Sequence, residues 1–248
     1  MSISAVIITK DEARNIEDCL QSLASVCDDI LVLDTGSSDN TCELARDCGA
    51  RVENIEWRGY SASKNHANSL AKNDWVLSID ADERLSEELA NSIRTLEPKA
   101  NTVYQLDRFT NYCGHWVRFS GWYPEWKARL FDRREIAWQG EFVHEALDIP
   151  AKVAQQKLQG KLLHYSYYSV EEHVQRLQRY AELSAQQMYA RGKRVSIFRP
   201  AVSAAFRFFS TLVLRQGWRD GWAGRQISLL GAREVYIKYT KLRGLQKE

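Results

Sequence analysis

Asp80-Ala81-Asp82-Glu83 puts three carboxylates within four residues, directly after the apolar residues Val76, Leu77 and Ile79. Such a run reads as a buried strand, and its abrupt end in acid predicts a charged loop at the strand's carboxyl edge. Side chains two apart on an extended backbone point the same way, so Asp80 and Asp82 are expected to aim together into a cleft. Two carboxylates that close repel and raise each other's pKa unless a cation or a set of donors holds them. Mg2+ suits the pair, because it is commonly held by one or two carboxylates with substrate phosphates and water completing its shell. The pattern therefore allows a nucleotide-diphosphate site bridged by a divalent metal. A solvated acidic turn that caps a helix starting near Ser86 accounts for the same residues.

The elements that must position these acids follow from periodicity. Residues 4–9 (SAVIIT) read as a β-branched strand, and residues 12–25 as a helix with Ile16, Leu20 and Leu23 on one face. Residues 30–33 (ILVL) form a second strand that ends in Asp34 and a Gly36-containing turn, before a helix over 41–48 closed by Gly49. A third strand over 51–55, a polar helix over 61–72 carrying Lys64, and the strand that ends at Asp80 complete the first third of the chain. Repeated strand-helix units imply an α/β protein with a doubly wound, mostly parallel sheet, whose ligands bind beyond the carboxyl ends of the strands. Residues 9–12, 34–39 and 80–83 all fall at such ends. Neither G-x-G-x-x-G nor G-x-x-x-x-G-K-[ST] occurs, which removes the main support for dinucleotide and P-loop chemistry.

TKDEARNI, VLDTGSSDNT, SASKNHA and SIDADE, spread over residues 3–85, closely resemble family 2 glycosyltransferases of the GT-A fold. WKARLF at 126–131, GEFVHE at 140–145 and the capped helix after LHYSYYS extend the likeness toward the subgroup that builds the lipopolysaccharide inner core with a β-1,4-glucosyl transfer. The resemblance implies a UDP-sugar donor, an inverting transfer and Mg2+ or Mn2+ as cofactor. It implies that Asp34 bonds the uracil, that Thr9 and Glu12 line the nucleoside pocket, and that Lys64 faces the diphosphate. Asp80 would meet the ribose or a metal-bound water, and Asp82 the metal, with His164 a further candidate there. By the same match Glu145 is the catalytic base, with Glu141 the second candidate, because an inverting transfer needs one ionised carboxylate beside the attacking hydroxyl. The His144-Glu145 pair is not followed by a second His at zinc-protease spacing, since Asp148 stands there.

Residues 111–126 concentrate Tyr112, Trp116, Trp122, Tyr123 and Trp126 among Gly114, Gly121 and Pro124. Rings held in a turn-rich segment suit an acceptor loop that stacks on sugars, or a plain ring cluster on the sheet edge. Lys127 and Arg129 are expected to reach anionic groups of the acceptor. The chain is thus read as a catalytic domain over 1–168 and a helical region over 169–248.

Net charge of +2 conceals an asymmetry: residues 199–248 hold ten Lys/Arg against three Asp/Glu, while the rest holds 24 against 29. Nucleic acid is one partner for such a tail, but interleaved Phe, Trp and Leu favour an anionic membrane surface. No signal segment is visible in MSISAVIITKDE, no apolar run is long enough to span a bilayer, and five cysteines without a C-x-x-C pair suggest neither disulfides nor zinc. The expectation is a cytoplasmic protein, peripheral on the inner membrane face, acting on a lipid-linked core oligosaccharide and not on nucleic acid. A sugar-1-phosphate nucleotidylyltransferase and a non-catalytic nucleotide-sugar or membrane-docking module are the rival classes; the first should carry a glycine-rich loop after its first strand, and TKDEAR is not one.

Overall fold

The computed structural model describes residues 2–140 and 146–246. They form two compact units, one built from residues up to 108 together with 125–164, the other from 109–124 together with 165–246. The expected boundary after residue 168 lies four residues past the end of the first unit, and the aromatic segment up to Pro124 belongs with the C-terminal helices, while Trp126 belongs to the first unit.

The first unit is organised on four parallel strands in the order β3 (Arg51–Asn54), β2 (Asp29–Asp34), β1 (Ile3–Thr9) and β4 (Trp75–Asp80). Alternation along the strands buries both faces. Ile3, Ala5, Ile7, Val32, Leu77 and Ile79 pack with Ile16, Cys19, Leu20 and Leu23 of α1 (Ile16–Leu23). Val6, Leu33 and Val76 face the other way, with Ala67 of α3 (Tyr60–Leu70), Phe131 and Trp138. Helices on both sides of a hydrophobic sheet are what the near-continuous apolar runs require.

Beyond β4 the sheet is mixed. β8 (Glu125–Asp132) runs antiparallel to β4, β6 (Thr102–Tyr112) antiparallel to β8, and the short β5 (Glu83–Leu85) antiparallel to β11 (Ala154–Tyr167). The parallel part expected from the sequence is therefore one half of the sheet, extended by strands that return without a helical crossover. β5 feeds α4 (Glu87–Arg94), where Ser86 Oγ accepts the Leu89 amide as an N-cap. A hairpin of β9 (Ala137–Gln139) and β10 (Ala146–Asp148) flanks the undescribed residues 141–145.

In the second unit α5 (Val170–Ala190) opens on Ser169, whose hydroxyl accepts the Glu172 amide, and closes at Gly192 in the left-handed region. α6 (Arg199–Phe209) runs into a π-helical turn (Ser210–Leu214), then a 3-10 turn (Gly217–Asp220) and α7 (Gly221–Leu245). α7 packs against both α5 and α6, and a small core of Tyr112, Val117, Ala223 and Ile227 ties the 109–124 segment to these helices. All five cysteines are free thiols.

Candidate active site

The parallel register sets Thr9 opposite Asp34 and Ile8 opposite Asp80, so three of the predicted site residues stand at neighbouring strand ends. Thr9 is buried and its hydroxyl has no hydrogen-bond partner among the described residues, an unusual state for a polar group inside a protein. Asp34 is also buried, but its carboxylate turns onto its own loop. It accepts the amides of Gly36 and Ser37, each at 2.9 Å, and the Ser37 hydroxyl. The loops after β1 and β2 are laced together: Asp11 N–H donates to Ser37 Oγ, Ser38 N–H to Asp11 Oδ1, Ala13 N–H to Asp39 Oδ2 and Glu12 N–H to Thr41 Oγ1, at 2.7–3.1 Å. Glu12 turns its own carboxylate toward Asn15 Nδ2 at 2.7 Å. Asp11 was not singled out from sequence, and Asp39 only as one of two possible caps of the helix that follows; the Asp/Ser/Thr density of both loops was the signal, since these side chains bond nearby amides.

At the end of β4 the expected geometry changes. The strand stops at Asp80 and Ala81-Asp82 is a turn, so the alternation that would aim Asp80 and Asp82 together does not reach Asp82. Their carboxylates take different partners. Asp80 bonds Arg129 Nη2 at 2.5 Å and lies 3.5 Å from Lys64 Nζ. Partial desolvation opposes its ionisation, but Arg129 and then Lys64 outweigh this and hold its carboxyl well below the usual carboxylate range. Asp82 Oδ2 instead lies 3.3 Å from His164 Nε2. The pairing of β5 with β11 brings them together, by setting Glu83 opposite His164.

Glu83 is fully buried beneath Asp80. Its carboxylate accepts the Asp80 amide at 3.0 Å, Arg129 at 2.8 Å and Arg108 at 3.4 Å, while Arg108 also reaches Glu125 at 2.8 Å. Arg129, itself only 4% exposed, is thus committed to Asp80 and Glu83 and is not available to an acceptor, contrary to the sequence expectation. Burial works against its charge, yet the two carboxylates raise its pKa further above an already basic value. Lys127 pairs with Glu125 at 2.9 Å. Lys64, on α3, also sits 4.3 Å from the centre of the Trp138 ring, a cation–π contact that fixes its stem.

An oxygen and an imidazole nitrogen at 3.3 Å fit two neighbouring positions around Mg2+ or Mn2+, the rest left to phosphate and water. Among the described residues no group of three His, Cys, Asp or Glu completes a site made by protein alone. Glu141 and Glu145, the candidate bases, lie outside the described residues.

In the second unit the rings of the aromatic segment pack largely on one another. Tyr112 is fully buried, with its hydroxyl 3.0 Å from His173 Nδ1 and its ring edge-on to Trp122 and Tyr167. Phe109 stacks on Trp116 at 5.0 Å and meets Tyr123 at 5.1 Å. Trp116, Trp122 and Tyr123 remain half-buried, so part of each ring is open to a ligand.

The family profile described as Glycosyl transferase family 2 matches residues 4–147. An uncharacterized glycosyltransferase of Rickettsia prowazekii (strain Madrid E) is 30% identical over 257 residues, covering 98% of this chain and 87% of its own length. The lipopolysaccharide core biosynthesis glycosyltransferase LpsC of Rhizobium meliloti (strain 1021) is 27% identical over 259 residues, covering 98% and 92%. A crystal structure of glucosyl-3-phosphoglycerate synthase from Mycobacterium tuberculosis, in complex with Mn2+, UDP and glucosyl-3-phosphoglycerate, aligns over 44% of each chain at 23% identity and a TM-score of 0.35, too slight a likeness to argue from.

Proposed function

Because the chain belongs to glycosyl transferase family 2, we propose that it is an inverting, metal-dependent hexosyltransferase that moves a sugar, with glucose the first candidate, from a UDP-sugar to a heptose of a lipid-linked lipopolysaccharide inner core. The observation that carries the donor side is the 3.3 Å approach of Asp82 to His164 beside the Asp80, Lys64 and Arg129 cluster, at the carboxyl end of a parallel strand. Asp82 and His164 would hold Mg2+ or Mn2+, which when bound would supply neutralising charge at the departing diphosphate. Lys64 would exchange part of its contact with Asp80 for a phosphate oxygen, leaving Arg129 to keep Asp80 ionised toward the ribose. The unpartnered Thr9 hydroxyl supports a nucleoside pocket lined by Thr9, Glu12 and Asp34, with Asp34 accepting the uracil imide as one of its loop bonds opens. Glu145, with Glu141 as second candidate, would take the proton of the attacking hydroxyl.

The lipopolysaccharide assignment is supported by similarity to LpsC across nearly the whole chain. No helix among the described residues is long and apolar enough to cross a membrane. Contact with an anionic membrane surface is supported by α6, whose outward stripe of Phe198, Val202, Phe206 and Phe209 is 50–73% exposed within a tail rich in Arg and Lys. The test is UDP release from a panel of UDP-sugars on core-truncated lipopolysaccharides, together with titration of UDP and Mn2+ into wild type and Asp82→Ala. UDP release that needs both a donor and a heptose-terminated acceptor is expected, with UDP affinity weakened at least about tenfold in the variant. No release with any donor would leave a nucleotide-sugar binding module; equal UDP affinity in the two proteins would remove the metal bridge.

A further inference from the structure

Asp220 precedes α7 at the position where an aspartate ordinarily accepts amides of its own helix, yet its side chain makes no such bond. It reaches back instead to the aromatic segment. Oδ1 accepts the amides of Arg118 and Phe119 at 2.9 and 3.2 Å, and Oδ2 accepts the Phe119 amide at 3.0 Å and the Ser120 hydroxyl at 2.9 Å. The Ser120 amide donates to Arg215 O at 3.0 Å, and the Arg219 guanidinium lies 4.2 Å from the centre of the Phe119 ring. Asp220 and Ser120 are 3% and 1% exposed.

A carboxylate is costly to bury unless donors surround it, and residues 118 and 119 have no sheet or helix of their own to satisfy their amides, whereas the neighbouring Val117 amide donates to Thr110 O at 3.0 Å. Each need is met by the other. Ser120 is held at φ 60, a left-handed conformation unfavourable for serine, which persists only where its surroundings fix it. The approach is close on the helical side too: a Cβ on Gly224 would fall 1.8 Å from the Gly217 carbonyl oxygen, and one on Gly217 would fall 2.9 Å from Ser120 Oγ. The contact tolerates no side chain at either glycine.

We propose that Asp220 is a positioning residue for the acceptor: it locks residues 118–120 so that the half-open rings of Trp116, Trp122 and Tyr123 are presented in one arrangement, and the C-terminal helices are thereby part of the acceptor site. This rests on the glycosyl transfer proposed above and takes the aromatic segment as the acceptor loop, the first of the two readings its sequence allows. Its physical basis is preorganisation, since a loop ordered before binding costs the sugar less to engage.

The test uses the full chain carrying Asp220→Ala, Asp220→Asn or Ser120→Ala, with heptose-terminated lipopolysaccharide as acceptor probe and UDP with Mn2+ as donor-side probe. Asp220→Ala is expected to speed amide exchange at 118–120 at least about a hundredfold with β1 and β2 unchanged, and to raise acceptor KM at least about tenfold while kcat stays within about threefold and UDP affinity is unaltered. Asp220→Asn, which keeps an acceptor oxygen, is expected to recover part of the KM. Should Asp220→Ala fail to fold by circular dichroism, Ser120→Ala reads the same KM shift at a smaller size. Unchanged acceptor KM in a folded, active variant, or unchanged exchange at 118–120, overturns the proposal. Wild type that binds UDP and never releases it from a sugar donor overturns glycosyl transfer itself, a separate result.

Discussion

Asp80 and Asp82 behave as two different groups despite standing two apart. Asp80 is locked in an ion cluster with Arg129, Lys64 and the buried Glu83 beneath, whereas Asp82 faces His164. The buried Glu83–Arg129 pair is expected to matter for stability, because removing one partner strands the other charge out of water. Arg129→Met should lower the unfolding free energy by about 3 kcal/mol in denaturant titration, and adding Glu83→Gln should restore part of that loss by removing the stranded charge. A single variant within about 1 kcal/mol of wild type would show that Arg108 alone compensates Glu83. Glu145→Gln is expected to keep UDP-sugar affinity and to lower turnover by at least about a hundredfold; near-normal turnover would shift the base to Glu141. Which acids were of interest was legible in the sequence, because three carboxylates at the end of an apolar run are conspicuous. Arg129 as the partner of Asp80 was not, since it arrives on β8 from 49 residues away, and His164, 82 residues from Asp82, was a candidate beside it only through the family resemblance.

Elements were read mainly by period and punctuation. The helix caps at Ser86 and Ser169 and the terminating Gly192 follow local rules, and each is where its residue type predicts. The antiparallel strands β5, β8 and β11 were less visible, because a three-residue strand has too few alternations to register and the long β11 mixes polar with apolar residues. α6 with its N-cap Phe198 and the π-helical turn that follows presents Phe198, Val202, Phe206, Phe209 and Val213 on one side at spacings of three and four, while Arg207 on the other side lies against Gly231 of α7. Phe206→Ser with Phe209→Ser should reduce flotation with anionic liposomes at least about tenfold, each ring contributing about 1.5–3 kcal/mol of insertion. Flotation equal to wild type would mean that the basic residues alone hold the surface, which raised salt would then abolish.

Over the whole molecule, acid stability offers a check on the second unit. Burial, aided by repulsion from Arg176, lowers the His173 pKa from 6.5 to about 4, so the folded protein keeps a neutral imidazole where the unfolded chain takes up a proton. Stability is therefore full above about pH 6.5 and falls as the pH drops from there toward 4, by at most about 3 kcal/mol from this group. Unfolding titrations at pH 7 and pH 5 should show this slope in wild type and a flatter one in His173→Phe; parallel slopes would assign the acid sensitivity elsewhere. By itself the sequence determined the α/β class, the strand ends that gather polar groups, and a basic tail with an apolar stripe, because these are written in local period, turn chemistry and composition, and it carried the family through the likeness of its motifs. Only the tertiary structure decided that Arg129 serves Asp80 and Glu83, that His164 meets Asp82, and that Asp220 holds a loop one hundred residues earlier. Such pairings depend on which strands and helices lie side by side, and chain neighbours carry no record of that.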